Sequence, residues 1–315
     1  MCPDMTETET PPTEAETRCG YFAIIGAPNA GKSTLLNRLA GTKLAIVTPK
    51  VQTTRARIIG IAMSGPVQLI FVDTPGIFSP KRRLDRAMVR AAWTGADDAD
   101  EIVVLVDPLR GRGGEPDDDT LTIVERLKSS KRRAVLALNK VDAVPRESLL
   151  KLAARLDSEG VFERIFMISG KTGSGVDDVV AWLAARAPVG PWLYPEDQAG
   201  EIPERQLAAE IVREKAFLKL HDELPYEATV ETEKWEERKD GSVRIEATIY
   251  VRRDGQKAIV LGKGGLQIKA IGGSARVELE ALLERRVHLF LFVKVRENWL
   301  DDPERYREMG LEWGK

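Results

Sequence analysis

Between Tyr21 and about Ala187 the chain alternates short apolar runs with longer stretches whose apolar residues recur every three or four positions. Tyr21 to Ile25, Val67 to Val72, Ile102 to Val106, Ala134 to Leu138 and Ile165 to Ile168 read as strands, and the stretches between them as amphipathic helices. Leu35, Leu36 and Leu39 mark the first helix, which Gly41 ends. Such alternation predicts an α/β domain: a mostly parallel sheet with helices on both faces. Arg57 to Met63 and Gln68 to Val72, joined by Ser64-Gly65-Pro66, read instead as an antiparallel hairpin at one edge. Pro188, Gly190, Pro191, Pro195, Gly200 and Pro203 then crowd one segment that is expected to continue neither helix nor sheet, which makes 188–203 the linker. Beyond it the pattern predicts a smaller α+β domain over 204–315. Its order is helix (Arg205 to Leu220), strand (Tyr226 to Trp235), strand (Val243 to Arg252), two helices meeting at Gly262 to Gly265, strand (Val287 to Val295) and a short helical tail after Pro303. The domain ahead of the linker spans 20–187, and residues 1–19 read as a disordered acidic tail.

Composition narrows the chemistry. At 315 residues, 43% hydrophobic and 30% charged, the chain suits about two ordinary globular domains. It encodes no stretch of membrane-spanning length, and residues 1 to 20 lack the basic and apolar regions of a secretory signal, so a cytosolic protein is expected. Cys2 and Cys19 form no CxxC pair, and His221 and His288 are far apart. A histidine metal site or a Ser/His/Asp triad therefore has almost no material, and catalysis has to come from a bound nucleotide and its metal. The net charge of -2 decides nothing about nucleic acid, because local charge governs phosphate binding.

That nucleotide has an address. Gly26-Ala27-Pro28-Asn29-Ala30-Gly31-Lys32-Ser33-Thr34 carries the full GxxxxGK[ST] pattern directly after an apolar run. Its backbone N–H groups can face the phosphates, Lys32 adds a point charge at the β/γ-phosphates, and the Ser33 hydroxyl suits Mg²⁺. Asp73-Thr74-Pro75-Gly76 and Asn139-Lys140-Val141-Asp142 each follow a strand end, where ligands bind in an open α/β sheet. Asp73 is expected to hold Mg²⁺ through water and the Gly76 N–H to meet the γ-phosphate. Asp142 matches the paired N–H edge of guanine, which adenine lacks. For Ser169-Gly170-Lys171 the expected element is a Gly170 N–H pointing at guanine O6. Ile77 is counted with Gly76 among the nucleotide-binding residues, and it stands where many GTPases carry a water-orienting glutamine, so turnover is either slow and partner-stimulated or served by another group. In order, on alternate strands, these motifs make residues 21 to 187 resemble a translation-factor-class GTPase domain. A threonine of Val51-Gln52-Thr53-Thr54-Arg55 should reach Mg²⁺. Resemblance to relatives with threonine just before arginine favours Thr54 over Thr53, and Asn29 is similar to the P-loop asparagine of GTPases that recruit potassium. The catalytic set so read is Lys32, Thr54 and Gly76; the metal set is Ser33, Thr54 and Asp73.

In the second domain Val260-Leu261-Gly262-Lys263-Gly264-Gly265-Leu266-Gln267-Ile268-Lys269 puts a GxxG turn between two helical stretches, small enough for a nucleic-acid backbone to approach. Residues 252 to 276 hold Arg252, Arg253, Lys257, Lys263, Lys269 and Arg276 against Asp254 alone. Ile259, Leu261, Ile268 and Ile271 are read as the floor of a groove for single-stranded bases. Lys257, Ile259, Gly262, Lys263, Gly264, Gly265 and Lys269 are the RNA-binding candidates. Trp299, Trp313 and Phe292 are expected to pack the tail.

GAPNAGKST, QTTR, DTPG, NKVD, SGK and the later VLGKGGLQIK together resemble the Era family of bacterial GTPases over nearly all of the chain after residue 20. The resemblance implies a P-loop GTPase domain joined to a type II KH domain, with binding of GTP and GDP and of Mg²⁺. It further implies binding to the 3′ end of 16S ribosomal RNA, a part in late assembly of the 30S subunit and, in some members, peripheral contact with the inner membrane; a cytoplasmic monomer is expected. Ala56 and Gly170 replace an expected histidine and alanine. Two alternatives stay open on residues alone: a GTPase acting on a protein or membrane partner through a C-terminal docking module, and a metabolic P-loop kinase or ATPase without guanine preference.

Overall fold

The computed structural model describes residues 16–50, 53–221, 224–299 and 302–313. Cys2, most of the acidic tail and Val51-Gln52 lie outside the described residues. Five parallel strands build most of the first sheet: β1 (Arg18–Gly26), β3 (Val67–Asp73), β4 (Glu101–Val106), β5 (Ala134–Leu138) and β6 (Phe162–Met167). β2 (Ile58–Ser64) runs antiparallel to β3 across a turn in which Gly65 takes φ +57°. Along β1, Phe22 and Ile24 face one core while Ala23 and Ile25 face the other, the two-residue period of a strand buried on both sides. α1 (Lys32–Ala40) and α5 (Val176–Arg186) cover the first face; α2 (Arg83–Asp97), α3 (Asp118–Ser129) and α4 (Arg146–Asp157) cover the second.

Two expectations change at the margins. β1 opens at Arg18, with Arg18 N–H bonding Pro66 O and Cys19 N–H bonding Pro188 O, so residues 18 and 19 belong to the sheet and not to a tail. The linker also joins the sheet: Gly200–Glu201, β7, pairs with Ile59 and Gly60, so the sheet order is β6-β5-β4-β1-β3-β2-β7 and the hairpin is not the edge. β2 offers an open rim of N–H and C=O groups, and glycine fits beside it because a Cβ on Gly200 would lie 2.3 Å from the Leu44 side chain.

The second sheet has the order β10-β9-β8, from β8 (Thr229–Glu237), β9 (Val243–Val251) and β10 (Val287–Val295). β8 starts after a turn of 3-10 helix at Leu224–Glu227, later than its sequence suggests. α6 (Glu204–Lys219), α7 (Asp254–Leu261) and α8 (Leu266–Leu282) pack on one face over Ile211, Val212, Ile245, Ile249, Ile271 and Leu279. Ile46, from the loop after α1, is buried in that same core. The final helix, α9 (Pro303–Glu308), brings Tyr306 and Leu311 against Leu84, Ala87 and Met88 of α2. Both domains therefore share buried contacts. Among the described residues no helix is long and apolar enough to cross a membrane.

Candidate functional site

The loop between β1 and α1 holds its shape by close backbone approach. Gly31 takes φ +100°, and a Cβ there would sit 2.3 Å from Asn139 Nδ2. Asn139 is the brace between loops: its Nδ2 donates to Ala30 O at 2.8 Å and its Oδ1 accepts the Gly170 N–H at 2.9 Å. Lys140 donates to Asn29 O at 2.9 Å and to Asp107 Oδ2 at 2.6 Å, tying the NKVD segment to the P-loop. Ala27, Ala30, Thr74 and Pro75 are buried, and Thr74 Oγ1 donates to Ile24 O at 3.0 Å. A cleft of about 290 Å³ opens above them, lined by Pro28, Asn29, Gly31, Lys32, Ser33, Thr34, Thr54, Gly76 and Lys140 among others. Gly76 belongs there for steric reasons, since a Cβ on it would lie 2.9 Å from the Pro28 Cα.

At the helix end the hydroxyls and the carboxylate converge. Ser33 Oγ lies 2.8 Å from Thr54 Oγ1 and donates to Asp73 Oδ2 at 2.8 Å, while Thr54 Oγ1 donates to the same oxygen at 3.2 Å. Thr53 turns away, to Thr48 Oγ1 and Lys50 O. Asp73 is fully buried, its Oδ1 has no hydrogen bond of good geometry, and burial raises its pKa despite Lys32, Ser33 and Thr54 nearby. An under-coordinated carboxylate oxygen beside two hydroxyls is a hard-oxygen donor set that suits Mg²⁺.

Lys32 is buried and donates to the carbonyls of Gly26 and Ala27, both at 3.0 Å. Burial lowers its pKa to about 8, Asp73 opposes this, and Arg110 adds to it. The folded value lies below the ordinary 10.5, so the lysine costs the nucleotide-free protein about 3 kcal/mol below pH 8. That cost is relieved as pH rises from 8 to 10.5, where the unfolded chain binds more protons. A triphosphate reverses the preference and holds the ammonium. GTP binding should therefore take up a proton above pH 8, and affinity should weaken by up to about tenfold per pH unit there. Calorimetry at pH 9 in two buffers of different ionisation enthalpy measures the proton; affinity flat from pH 7 to 9.5 contradicts the assignment.

Three sequence readings need correction. The Gly170 N–H is engaged by Asn139 Oδ1, so it braces the loop where a free donor to guanine O6 was expected. Ile77 is 1% exposed within the core beside Ala92, and its N–H bonds Gly26 O, so its side chain cannot face the phosphates. Ile271 is completely buried and cannot floor an open groove. Asp142 and Lys171 are exposed at the rim, and the buried Ser169 hydroxyl beside Asp142 holds that carboxylate below the usual range. Sequence reasoning passed over Asp107 and Arg110, which follow β4 as the known motifs follow their strands. Arg110 donates to Pro28 O at 2.9 Å and pairs with Asp117 and Asp119.

In the second domain, α7 and α8 meet at a turn over Lys263–Gly265 in which Gly262, Gly264 and Gly265 take φ of +70°, +62° and +77°. Positive φ at these three positions suits glycine, and the lack of side chains there leaves the backbone open. Ile259 and Leu266 are 59% and 68% exposed beside it, whereas Leu261 and Ile268 pack against the core. Lys263 and Lys269 are exposed with no acidic partner among the described residues, and Lys257 is half-buried. Arg252 is committed to Glu227 at 3.1 Å. Trp299 is buried and Trp313 meets Tyr306 edge to face, as expected of tail-packing residues, but Phe292 is exposed on β10.

The class is that of a P-loop GTPase domain coupled to a small α+β nucleic-acid-binding module. A family model described as 50S ribosome-binding GTPase matches residues 21–140, and one described as KH domain matches residues 223–300. GTPase Era of Sinorhizobium medicae is 62% identical over 309 residues, covering 98% of each chain, and that of Rhizobium meliloti is 62% identical over 310. Among solved structures, an Aquifex aeolicus Era variant bound to GDP and AlF4⁻ aligns with TM-score 0.86 at 36% identity, over 93% of this chain and 99% of that one. Era in complex with MgGDPNP and nucleotides 1506-1542 of 16S ribosomal RNA aligns with TM-score 0.87 at 36% identity, with the same coverage. The chain belongs to the Era family: it binds GTP and GDP and hydrolyses GTP.

Proposed function

We propose that the protein is a GTP-controlled switch that binds the single-stranded 3′ end of 16S ribosomal RNA and assists assembly of the 30S subunit in the cytoplasm, with any contact to the inner membrane peripheral. The observation that carries the reading is the exposed Lys263–Gly265 turn, flanked by Ile259 and Leu266 and by the exposed Lys263 and Lys269, which have no acidic partner among the described residues. Bare backbone, apolar shelf and free cations together suit a strand whose bases stack inward and whose phosphates face the turn. The relative solved with MgGDPNP and 16S nucleotides supports the choice of RNA. Among the described residues lining the cleft there is no histidine and no second acid for hydrolysis, so positioning and charge do the chemistry. Lys32 meets the β/γ-phosphates, the Gly76 N–H meets the γ-phosphate, and Ser33, Thr54 and Asp73 hold Mg²⁺, which neutralises phosphate charge when bound. Asp142 reads guanine.

Fluorescence anisotropy with an oligonucleotide of the 16S 3′ end tests the reading: binding should be tighter with GMPPNP than with GDP, and equal or absent binding overturns it. Asn29 takes φ +63° and donates its Nδ2 to Pro49 O at 2.8 Å, which leaves Oδ1 as an oxygen ligand for potassium. Turnover a few fold faster in potassium than in sodium salts is expected, and identical rates remove the potassium from the proposal.

A further inference from the structure

The loop that presents Thr54 to the metal site is held from outside by the other domain. Arg55 is 3% exposed. Its guanidinium sits 5.7 Å from the Phe217 ring centroid and 5.5 Å from that of Trp299. Nη1 donates to Ala228 O at 2.9 Å, and Nη2 reaches Pro225 O and Tyr226 O at 3.5 Å. Trp299 is itself fixed by a bond from Nε1 to Glu227 O at 3.1 Å. The preceding residues are gripped as well: Arg213 donates to Thr53 O, Val47 N–H bonds Glu214 Oε1 at 2.8 Å, and Ile46 is buried in the second core. A planar fork between two aromatic faces, donating to three carbonyls, has little freedom to slide. One peptide away, the Thr54 hydroxyl lies 2.8 Å from Ser33 Oγ and 3.2 Å from Asp73 Oδ2.

We infer that Arg55 is a positioning residue for GTP: inserted in the KH domain, it fixes Thr54 at the metal position, so the RNA-binding domain completes the triphosphate site and senses its occupancy through one adjacent pair of residues. This rests on the reading of the protein as an RNA switch, which it deepens. The triphosphate state uses Thr54 and the diphosphate state does not, so loosening Arg55 should act on one and spare the other. By linkage, whatever GTP adds to RNA affinity RNA adds to GTP affinity, and both should fall together.

The test uses the full-length chain with Arg55→Ala and with Arg55→Lys, which keeps charge and reach but loses the fork. Affinities for GDP and GMPPNP with Mg²⁺ are measured by fluorescent nucleotide, and RNA affinity is measured in both nucleotide states. Expected for both variants are GDP affinity within about twofold of the parent, GMPPNP affinity about tenfold weaker, and a nucleotide-dependent gain in RNA affinity reduced to less than about twofold. Variants that keep the parent's GMPPNP preference overturn the inference. So does equal loss of GDP and GMPPNP affinity, which marks general damage. If the parent itself shows no nucleotide-dependent RNA binding, the switch reading fails, whereas the positioning of Thr54 still stands or falls on the GMPPNP to GDP ratio.

Discussion

Asp142→Asn should weaken GTP binding by at least about a hundredfold while xanthosine triphosphate gains affinity. Guanine presents two adjacent donors, N1–H and the N2 amino group, and a carboxylate accepts from both. Asparagine keeps one acceptor but turns an amide N–H₂ toward the second donor, leaving two donors face to face. Xanthine carries a carbonyl at that position and accepts the amide. The Ser169 hydroxyl beside Asp142 favours its ionised form, so the acceptor pair is present throughout the neutral range. The exchange removes charge at an exposed rim residue and leaves the Asn139 brace to Ala30 and Gly170 in place. Competition of GTP and xanthosine triphosphate against a fluorescent guanine nucleotide measures the switch, and an unchanged preference for GTP would falsify the base-reading role.

Whatever a local run of residues decides by itself was legible in the sequence. The P-loop, DTPG and NKVD segments follow strand ends because the hydrophobic pattern fixes the strands and the sheet fixes the rim. Val287–Val295 stands where its apolar run put it. What the sequence hid depends on residues far away in the chain. Periodicity could not tell Ile271, which α8 turns into the core, from Ile259, which α7 leaves 59% exposed. The pairing of Gly200–Glu201 is supplied by the open rim of β2 and not by any propensity of a proline-rich linker. Gly170 was read as a base contact because its neighbours suggest one, yet its N–H goes to Asn139, 31 residues earlier. Arg55 reads as a polar loop residue in sequence and becomes a buried plug only once Phe217 and Trp299 are brought to it.

The KH turn carries the other large effect. Lys263→Asp combined with Gly264→Asp should weaken binding to the 16S 3′-end oligonucleotide by about a hundredfold or more in 0.1 M salt, and should flatten the slope of log affinity against log salt. Lys263 is exposed, so its loss removes a phosphate contact and two new carboxylates repel the backbone that the turn would admit. The variant should nonetheless fold. A Cβ at Gly264 meets nothing within 4 Å, and its φ of +62° is one that aspartate adopts more readily than most residues. The thermal midpoint should accordingly stay within about 2 °C of the parent's. Loss of RNA binding with the fold intact places the strand at Lys263–Gly265. Undiminished affinity with an unchanged salt slope would move the RNA elsewhere on the domain, and the cationic turn would then be only a solvated corner between α7 and α8.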